Sequence, residues 1–250
     1  MDANAWHARF SQQAKWTAGL RQYLFDRAKL DKDDRILEIG CGTGAVLNSL
    51  IQNLDPSQVF GLDLNITYLS LATRYTPQAR FIQADAQAIP FPDDSFDIVF
   101  CHFLLLWVEN PLFTVREMAR IARRGGWVLA LAEPDYGGRI DFPEALAKIG
   151  QMQETMLRQQ GAETRIGRRL AALFNAAALN NILTGVLGGE WSRAHDIEDL
   201  QQEWEVMKDD LRGQLTQEEL SALIEMDYRA YRDGERILYV PTFYAMGQKP

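Results

Sequence analysis

Three glycines, at positions 40, 42 and 44, stand between an apolar strand-like run, residues 35–39, and an apolar helix-like run that begins at Ala45, in the stretch RILEIGCGTGAVLNSL. A strand that turns at once into a helix needs residues that tolerate left-handed backbone. A backbone without Cβ atoms also lets a ligand approach more closely than any side chain permits. The helix that follows offers its unpaired N–H groups to something electron-rich.

The periodicity on either side extends this into an architecture. Residues 5–29 read as one helix, with Trp16, Leu20 and Leu24 on a shared face and Tyr23 beside them. After the first strand, residues 45–53 start a helix, and residues 59–62 form a second strand that ends in Asp63. Asn65 or Thr67 can cap the helix carrying Leu69 and Leu71. Residues 79–83 and 96–100 are the third and fourth strands, a helix covers 112–121, and the turn Arg124-Gly125-Gly126 leads into a fifth strand at 127–132. Strands alternating with helices through short turns predict a Rossmann-like, doubly wound α/β fold: a mainly parallel sheet with helices on both faces. Its ligands bind at the carboxyl ends of the strands.

The second half reads differently. Helices are predicted at 143–158 and 166–179, a strand at 181–187, helical stripes through Trp204 and Tyr228, and an apolar run at 237–246 that supplies a late antiparallel edge strand. The expectation is a single domain over 1–250. Within it, 1–30 is an N-terminal helical cover, 31–135 the cofactor-binding core, and 136–180 with 196–236 a helical insertion or lid on the acceptor side.

Composition removes several function classes. The formal net charge of −8 and the scattered basic residues argue against nucleic-acid binding, which needs clustered Lys and Arg. No run approaches the roughly 18 apolar residues of a membrane span, and no opening segment reads as a secretory leader. Cys41 and Cys101 are the two cysteines, and small buried thiols in a reducing cytoplasm are the expectation for them. His, Cys and Asp do not cluster at metal-ligand spacing.

Two chemistries share the glycine plan. Gly40-x-Gly42-x-x-Ala45, with Asp63 about 20 residues further on, fits a relaxed dinucleotide fingerprint, so a nicotinamide-dependent oxidoreductase stays open. The fuller pattern, Glu38-x-Gly40-x-Gly42-x-Gly44, resembles motif I of the class I S-adenosylmethionine-dependent methyltransferases. The resemblance continues in Gly61-Leu62-Asp63, in Ala84-Asp85-Ala86 followed by Ile89-Pro90-Phe91, and in Phe96-Asp97-Ile98-Val99. It implies S-adenosylmethionine as cofactor and S-adenosylhomocysteine as product. Gly40, Cys41 and Gly42 would lie along the methionine part with Glu38 beneath, and Asp63 would accept from the ribose hydroxyls. Leu64 and Ala86 would sandwich the adenine, Asp85 would meet its amine, and Cys101 would border the cofactor from the fourth strand. A module that binds the cofactor without catalysis is a third reading.

The same resemblance narrows the acceptor. The place after the fourth strand reads Cys101-His102-Phe103-Leu104, without the Asn or Asp-Pro-Pro-aromatic motif of DNA amino-methyltransferases, and Glu109 stands alone where protein arginine methyltransferases set two glutamates. A small-molecule acceptor is therefore expected, methylated by in-line displacement. His102 is the candidate general base, because it leaves the fourth strand beside the expected transfer position and titrates near neutrality; His7 and His195 are less well placed. Trp16 and Trp107, ahead of Trp6, Phe10 and Trp191, together with Asp135, Tyr136 and Arg139 around Gly137-Gly138, are the candidate acceptor-side residues, and Glu133 is a further polar residue of that loop stretch. Oligomeric state is open.

Overall fold

The computed structural model describes residues 3–188 and 197–250. Five parallel strands form the centre of the sheet: β1 (Ile36–Ile39), β2 (Val59–Asp63), β3 (Arg80–Gln83), β4 (Phe96–Cys101) and β5 (Ala122–Pro134). Every residue of β1 is buried, as a strand covered on both faces requires. Later in the chain come β6 (Ile140–Phe142), β7 (Asn180–Leu187), β8 (Ile237–Tyr239) and β9 (Thr242–Gln248). The main sheet has the order β3-β2-β1-β4-β5-β9-β7. The chain winds outward from β1 in both directions, so the switch point lies between β1 and β4.

The late antiparallel strand is β9, which pairs with β5 on one side and β7 on the other. It therefore lies one place in from the edge, with β7 outermost. A β-hairpin-like return would have left β9 at the margin; the long excursion between β5 and β9 supplies a further strand that covers it.

Helices α1 (Ala3–Trp16), α2 (Ala18–Ala28), α3 (Ala45–Leu50), α4 (Ile66–Tyr75) and α5 (Pro111–Ile121) accompany the core. Local chemistry sets their starts. The Asn65 side chain accepts from the Thr67 and Tyr68 amides to cap α4, and Asn110 caps α5 with Pro111 in the first helical position. Leu24, Phe25, Leu47, Leu69 and Phe100 pack on one side of the sheet, and Leu37, Val99, Leu105, Val115, Met118 and Phe174 on the other.

The single N-terminal helix expected over 5–29 is instead two. The chain breaks at Thr17, whose backbone leaves the helical region and whose hydroxyl donates back to the Gln13 carbonyl at 3.1 Å. Such a bond competes with the helical ladder and bends it. Trp16 consequently turns outward, away from the face that buries Leu20 and Leu24.

Helices α6 (Ala147–Gln159), α7 (Leu170–Ala176), α8 (Ile197–Asp210) and α9 (Gln217–Asp233) make up most of the second half. A capping box, Thr216 with Glu219, starts α9, and left-handed Gly234 ends it. The segment is not wholly helical, because β6 and β8 pair into a small antiparallel sheet. Leu146, Ile149, Trp204, Met207 and Leu211 form a third apolar cluster, separate from the two on the sheet. This cap is also held by charge: Asp141 accepts from Arg139 at 2.6 Å and from Arg236 at 2.9 Å, and Arg236 reaches Asp227 as well. No helix among the described residues is long and apolar enough to cross a membrane.

Candidate active site

The parallel register places Ile39, Leu62, Gln83 and Cys101 at one edge of the sheet, so the turns that leave these strands converge. The glycine turn is stitched to the neighbouring strand. The Gly40 and Cys41 amides both donate to the Leu62 carbonyl, at 2.7 and 3.0 Å. Asp63 then bridges two loops: one carboxylate oxygen accepts from the Gly42 amide at 2.7 Å and the other from the Asn65 amide at 2.8 Å. Each oxygen keeps further acceptor capacity, which is what a vicinal diol requires.

Gly40 and Gly42 have φ of +70° and +51°, a backbone that side chains disfavour. A Cβ at Gly40 would come within 2.6 Å of the Leu104 side chain, and one at Gly42 within 3.0 Å of the Phe10 ring. The turn is thus walled by Leu104 from the β4 exit and by Phe10 from α1. His7 anchors α1 there, its Nδ1 2.7 Å from Thr43 Oγ1 and its ring stacked 3.7 Å from Tyr75.

Beneath the turn, Glu38 is buried, and its Oε2 has no partner among the described residues. Burial pushes its carboxyl well above the usual range; Arg21 opposes the shift and Asp63 adds to it. An orphaned buried carboxylate oxygen is an acceptor awaiting a donor. Leu64, next to Asp63, is 68% exposed, an apolar side chain left open at the strand end. Asp85 lies in an exposed turn with the Gln87 amide donating to it at 2.8 Å, and Ala86 beside it is half-buried. The Gln83 side chain ties this turn to the Leu64 carbonyl at 3.0 Å. These residues fit a cofactor with an amine, a ribose diol and a flat base.

The β4 exit is organised by a residue that the strand pattern only touches on. Glu133, at the end of β5 and fully buried, accepts from the Leu104 and Leu105 amides at 3.0 and 2.9 Å and from the Leu106 amide at 3.3 Å. Cys101 Sγ lies 3.8 Å from the same carboxylate, so the cysteine side chain faces β5, and burial followed by the Glu133 charge pushes its thiol well up. The visible signal was an acid closing the otherwise apolar run WVLALAEP.

His102 is 9% exposed, and its Nε2 sits 2.9 Å from Thr17 Oγ1, at the break between α1 and α2. Arg21 also donates to Thr17 Oγ1, at 3.1 Å. Burial, reinforced by the Arg21 charge, lowers the imidazole to about 3. The ring is neutral at physiological pH and acts as a hydrogen-bond partner within the Arg21–Thr17 group. This differs from the near-neutral titration expected of a solvated histidine, and desolvation is the reason.

Of the residues expected on the acceptor side, Trp16 and Trp107 are 44% and 47% exposed, with the Arg9 guanidinium 4.9 Å over the Trp16 ring. Arg9 also pairs with Glu203 of α8, joining the N-terminal helix to the cap. Asp135 and Tyr136 follow β5. Asp135 is buried and accepts from Arg168 Nε at 2.7 Å, while its Oδ1 has no partner among the described residues. Tyr136 is half-buried, and burial raises its phenol. Arg139 is committed to Asp141 and to Gln153, at 2.7 Å, inside the cap. Trp191 and His195 lie outside the described residues.

The reversing strand order, the bare glycine turn at the switch and an acid at the end of the adjacent strand define an α/β protein built for a nucleoside-containing cofactor. Residues 37–130 match the family described as methyltransferase domain. The chain is 29% identical over 190 residues to demethylmenaquinone methyltransferase of Bacillus licheniformis, covering 69% of this chain and 80% of that one. It is 34% identical over 160 residues to fatty-acid O-methyltransferase of Mycolicibacterium smegmatis, covering 61% and 54%. In the second case the match thus spans about half of the relative's length. Among solved structures, phosphoethanolamine N-methyltransferase 2 of Haemonchus contortus shares the fold, with a TM-score of 0.61 at 18% identity over 93% of this chain and 53% of that one. Residues 37–130 are thus similar to a methyltransferase domain, and the chain as a whole shares the fold of solved S-adenosylmethionine-binding methyltransferases.

Proposed function

We propose that this protein transfers a methyl group from S-adenosylmethionine to a small-molecule acceptor by in-line displacement. The observation that carries the reading is the joint placement of the bare Gly40–Gly42 backbone, the orphaned Glu38 oxygen and the bridging Asp63 carboxylate at adjoining strand ends. The cofactor, when bound, supplies an electrophilic methyl group on a sulfonium. Glu38 would hold its amine, Asp63 its ribose, Leu64 and Ala86 its base, and Asp85 the base's amino group, with Cys41 and Cys101 contributing backbone at the rim. Alignment and desolvation are then the protein's main contributions. His102, held neutral and hydrogen-bonded, serves to position rather than to store a proton.

For the acceptor side, Trp16, Trp107 and Tyr136 supply aromatic surface, and Asp135 supplies a free carboxylate oxygen. The relatives act on a quinone precursor and on fatty acids, and we extend to this chain an acceptor with a substantial apolar part. The N-terminal 1–30 segment would act as cover and 136–180 with 196–236 as acceptor-side cap. A cytoplasmic location is part of the same proposal, supported by two free, buried cysteines. The test is a coupled assay of S-adenosylhomocysteine release with quinol, fatty-acid and amine acceptors. Acceptor-dependent release sustains the reading, and calorimetric binding of neither S-adenosylmethionine nor S-adenosylhomocysteine sinks it.

A further inference from the structure

Phe103 has a φ of +52°, an uncommon conformation for a bulky side chain, and it turns the chain just beyond β4. Its amide donates to the Ala132 carbonyl at 2.9 Å, which presses the turn against β5. The three amides that follow, Leu104, Leu105 and Leu106, all point at one carboxylate, that of Glu133. Successive N–H groups converging in this way form a nest for an anion, and here the anion is the protein's own. The Leu104 side chain that leaves this nest is the one packed on Gly40, in the space that a Cβ would need.

We propose that Glu133 is a positioning residue for methyl transfer: its carboxylate fills the nest of residues 104–106, fixes the Leu104 side chain against Gly40, and so sets one wall of the cofactor cleft. The inference rests on the cofactor reading above for its functional consequence, but the nest itself does not. The Glu133 carboxylate meets the 104–106 amides and the Cys101 thiol, and it acts through the loop.

The chemistry gives the device a pH dependence. In the carboxylate Oε1 accepts from the Leu104 and Leu105 amides and Oε2 from the Leu106 amide, whereas a proton on Oε2 sets an O–H donor against the Leu106 N–H. The Glu133 carboxylate is met by Cys101 on β4 and by the 104–106 amides, while Gly167 of the turn before α7 and Phe243 on β9 lie against its main chain. Of these side chains Cys101 titrates, and burial first, then the Glu133 and Glu38 charges, push its thiol well up. His102, next in sequence, is neutral at physiological pH. Burial raises the Glu133 carboxyl to about 7 against the pull of the three amides, so the loop tightens as pH rises through neutrality.

The experiment compares wild type with Glu133→Gln by amide hydrogen exchange at residues 104–106 and by calorimetric titration with S-adenosylhomocysteine between pH 6 and 8.5. We expect the variant, whose NH2 group replaces Oε2 and faces the Leu106 amide, to lose about tenfold of the protection at Leu106 and about tenfold of the affinity, as loss of a charge-assisted bond implies. Its affinity is expected to be flat with pH, where wild-type binding tightens through about pH 7. Unchanged protection, or a variant that keeps the wild-type pH profile with only a lower Tm, overturns the proposal. If Glu133→Gln does not fold, the wild-type protein decides: the amide resonances of Leu104–Leu106 must titrate together with the Glu133 carboxyl carbon, and a pH-independent set refutes the assignment. Failure of wild type to bind S-adenosylhomocysteine at every pH would overturn the proposed function instead, leaving the exchange result to judge Glu133.

Discussion

Asp63 offers the sharpest separation of binding from folding. Its two oxygens take one amide each, Gly42 at 2.7 Å in the buried turn and Asn65 at 2.8 Å at the exposed start of α4. Asp63→Asn keeps one carbonyl oxygen for one amide and sets an NH2 donor against the other. A hydrogen bond to a charged group is worth about 1.5–3 kcal/mol. The unliganded variant should therefore lose about 2 kcal/mol, roughly 4–8 °C in Tm for a chain of this size. Affinity for S-adenosylhomocysteine should fall separately, because the ribose hydroxyls lose the same kind of acceptor, by roughly 10- to 150-fold. Calorimetric titration well below the variant's Tm measures the second effect without the first. A Kd within twofold of wild type, in a variant that melts as expected, would show that Asp63 only stitches the glycine turn and that the ribose assignment is wrong.

Gly40→Ala forces left-handed alanine and drives Cβ to 2.6 Å from Leu104, so it should destabilise the protein. Leu104→Ala should relieve part of that, giving a coupling of about 1 kcal/mol in a denaturation double-mutant cycle; strict additivity would disprove the contact. His102 has a folded pKa of about 3, below the unfolded value. The unfolded chain therefore takes a proton that the folded one refuses as pH drops below about 6.5, and stability falls by about 1.4 kcal/mol per unit. His102→Gln should flatten that acid limb relative to wild type, and parallel curves would contradict the buried, neutral ring. Glu133 runs the other way: its raised carboxyl contributes stability at acid pH that is lost as pH rises through about 7. Asp141→Ala leaves Arg139 and Arg236 buried without their shared carboxylate. A loss of about 3–5 kcal/mol is expected by urea titration, and a loss below 1 kcal/mol would mean that the network is hydrated.

Much of this was legible because periodicity and spacing are local. The strands through β5 follow from apolar runs, the reversing order from strand–helix alternation, and the cofactor candidates from glycines and acids at strand ends. What escaped depended on partners distant in sequence. The break at Thr17 is enforced by its own back-bonded hydroxyl and matched by His102, 85 residues away. The acid at 133 looked like one of several polar loop residues until its carboxylate met three amides some 28 residues upstream. Ile140 and Phe142 are too few to announce a strand, and they became one by pairing with Tyr239 and Ile237. His102 reads as a near-neutral base from composition, and desolvation changes it.

The cap has an apolar cluster of its own, Leu146, Ile149, Trp204, Met207 and Leu211, beside the side chains such as Leu157 and Phe174 with which it meets the sheet. None of these five residues belongs to the clusters packed on the sheet under the glycine turn. On the proposed reading of the cap as the acceptor side, changes in that cluster would alter which molecule is admitted while the residues proposed to hold the cofactor stay as they are, so the two could evolve at different speeds within one chain.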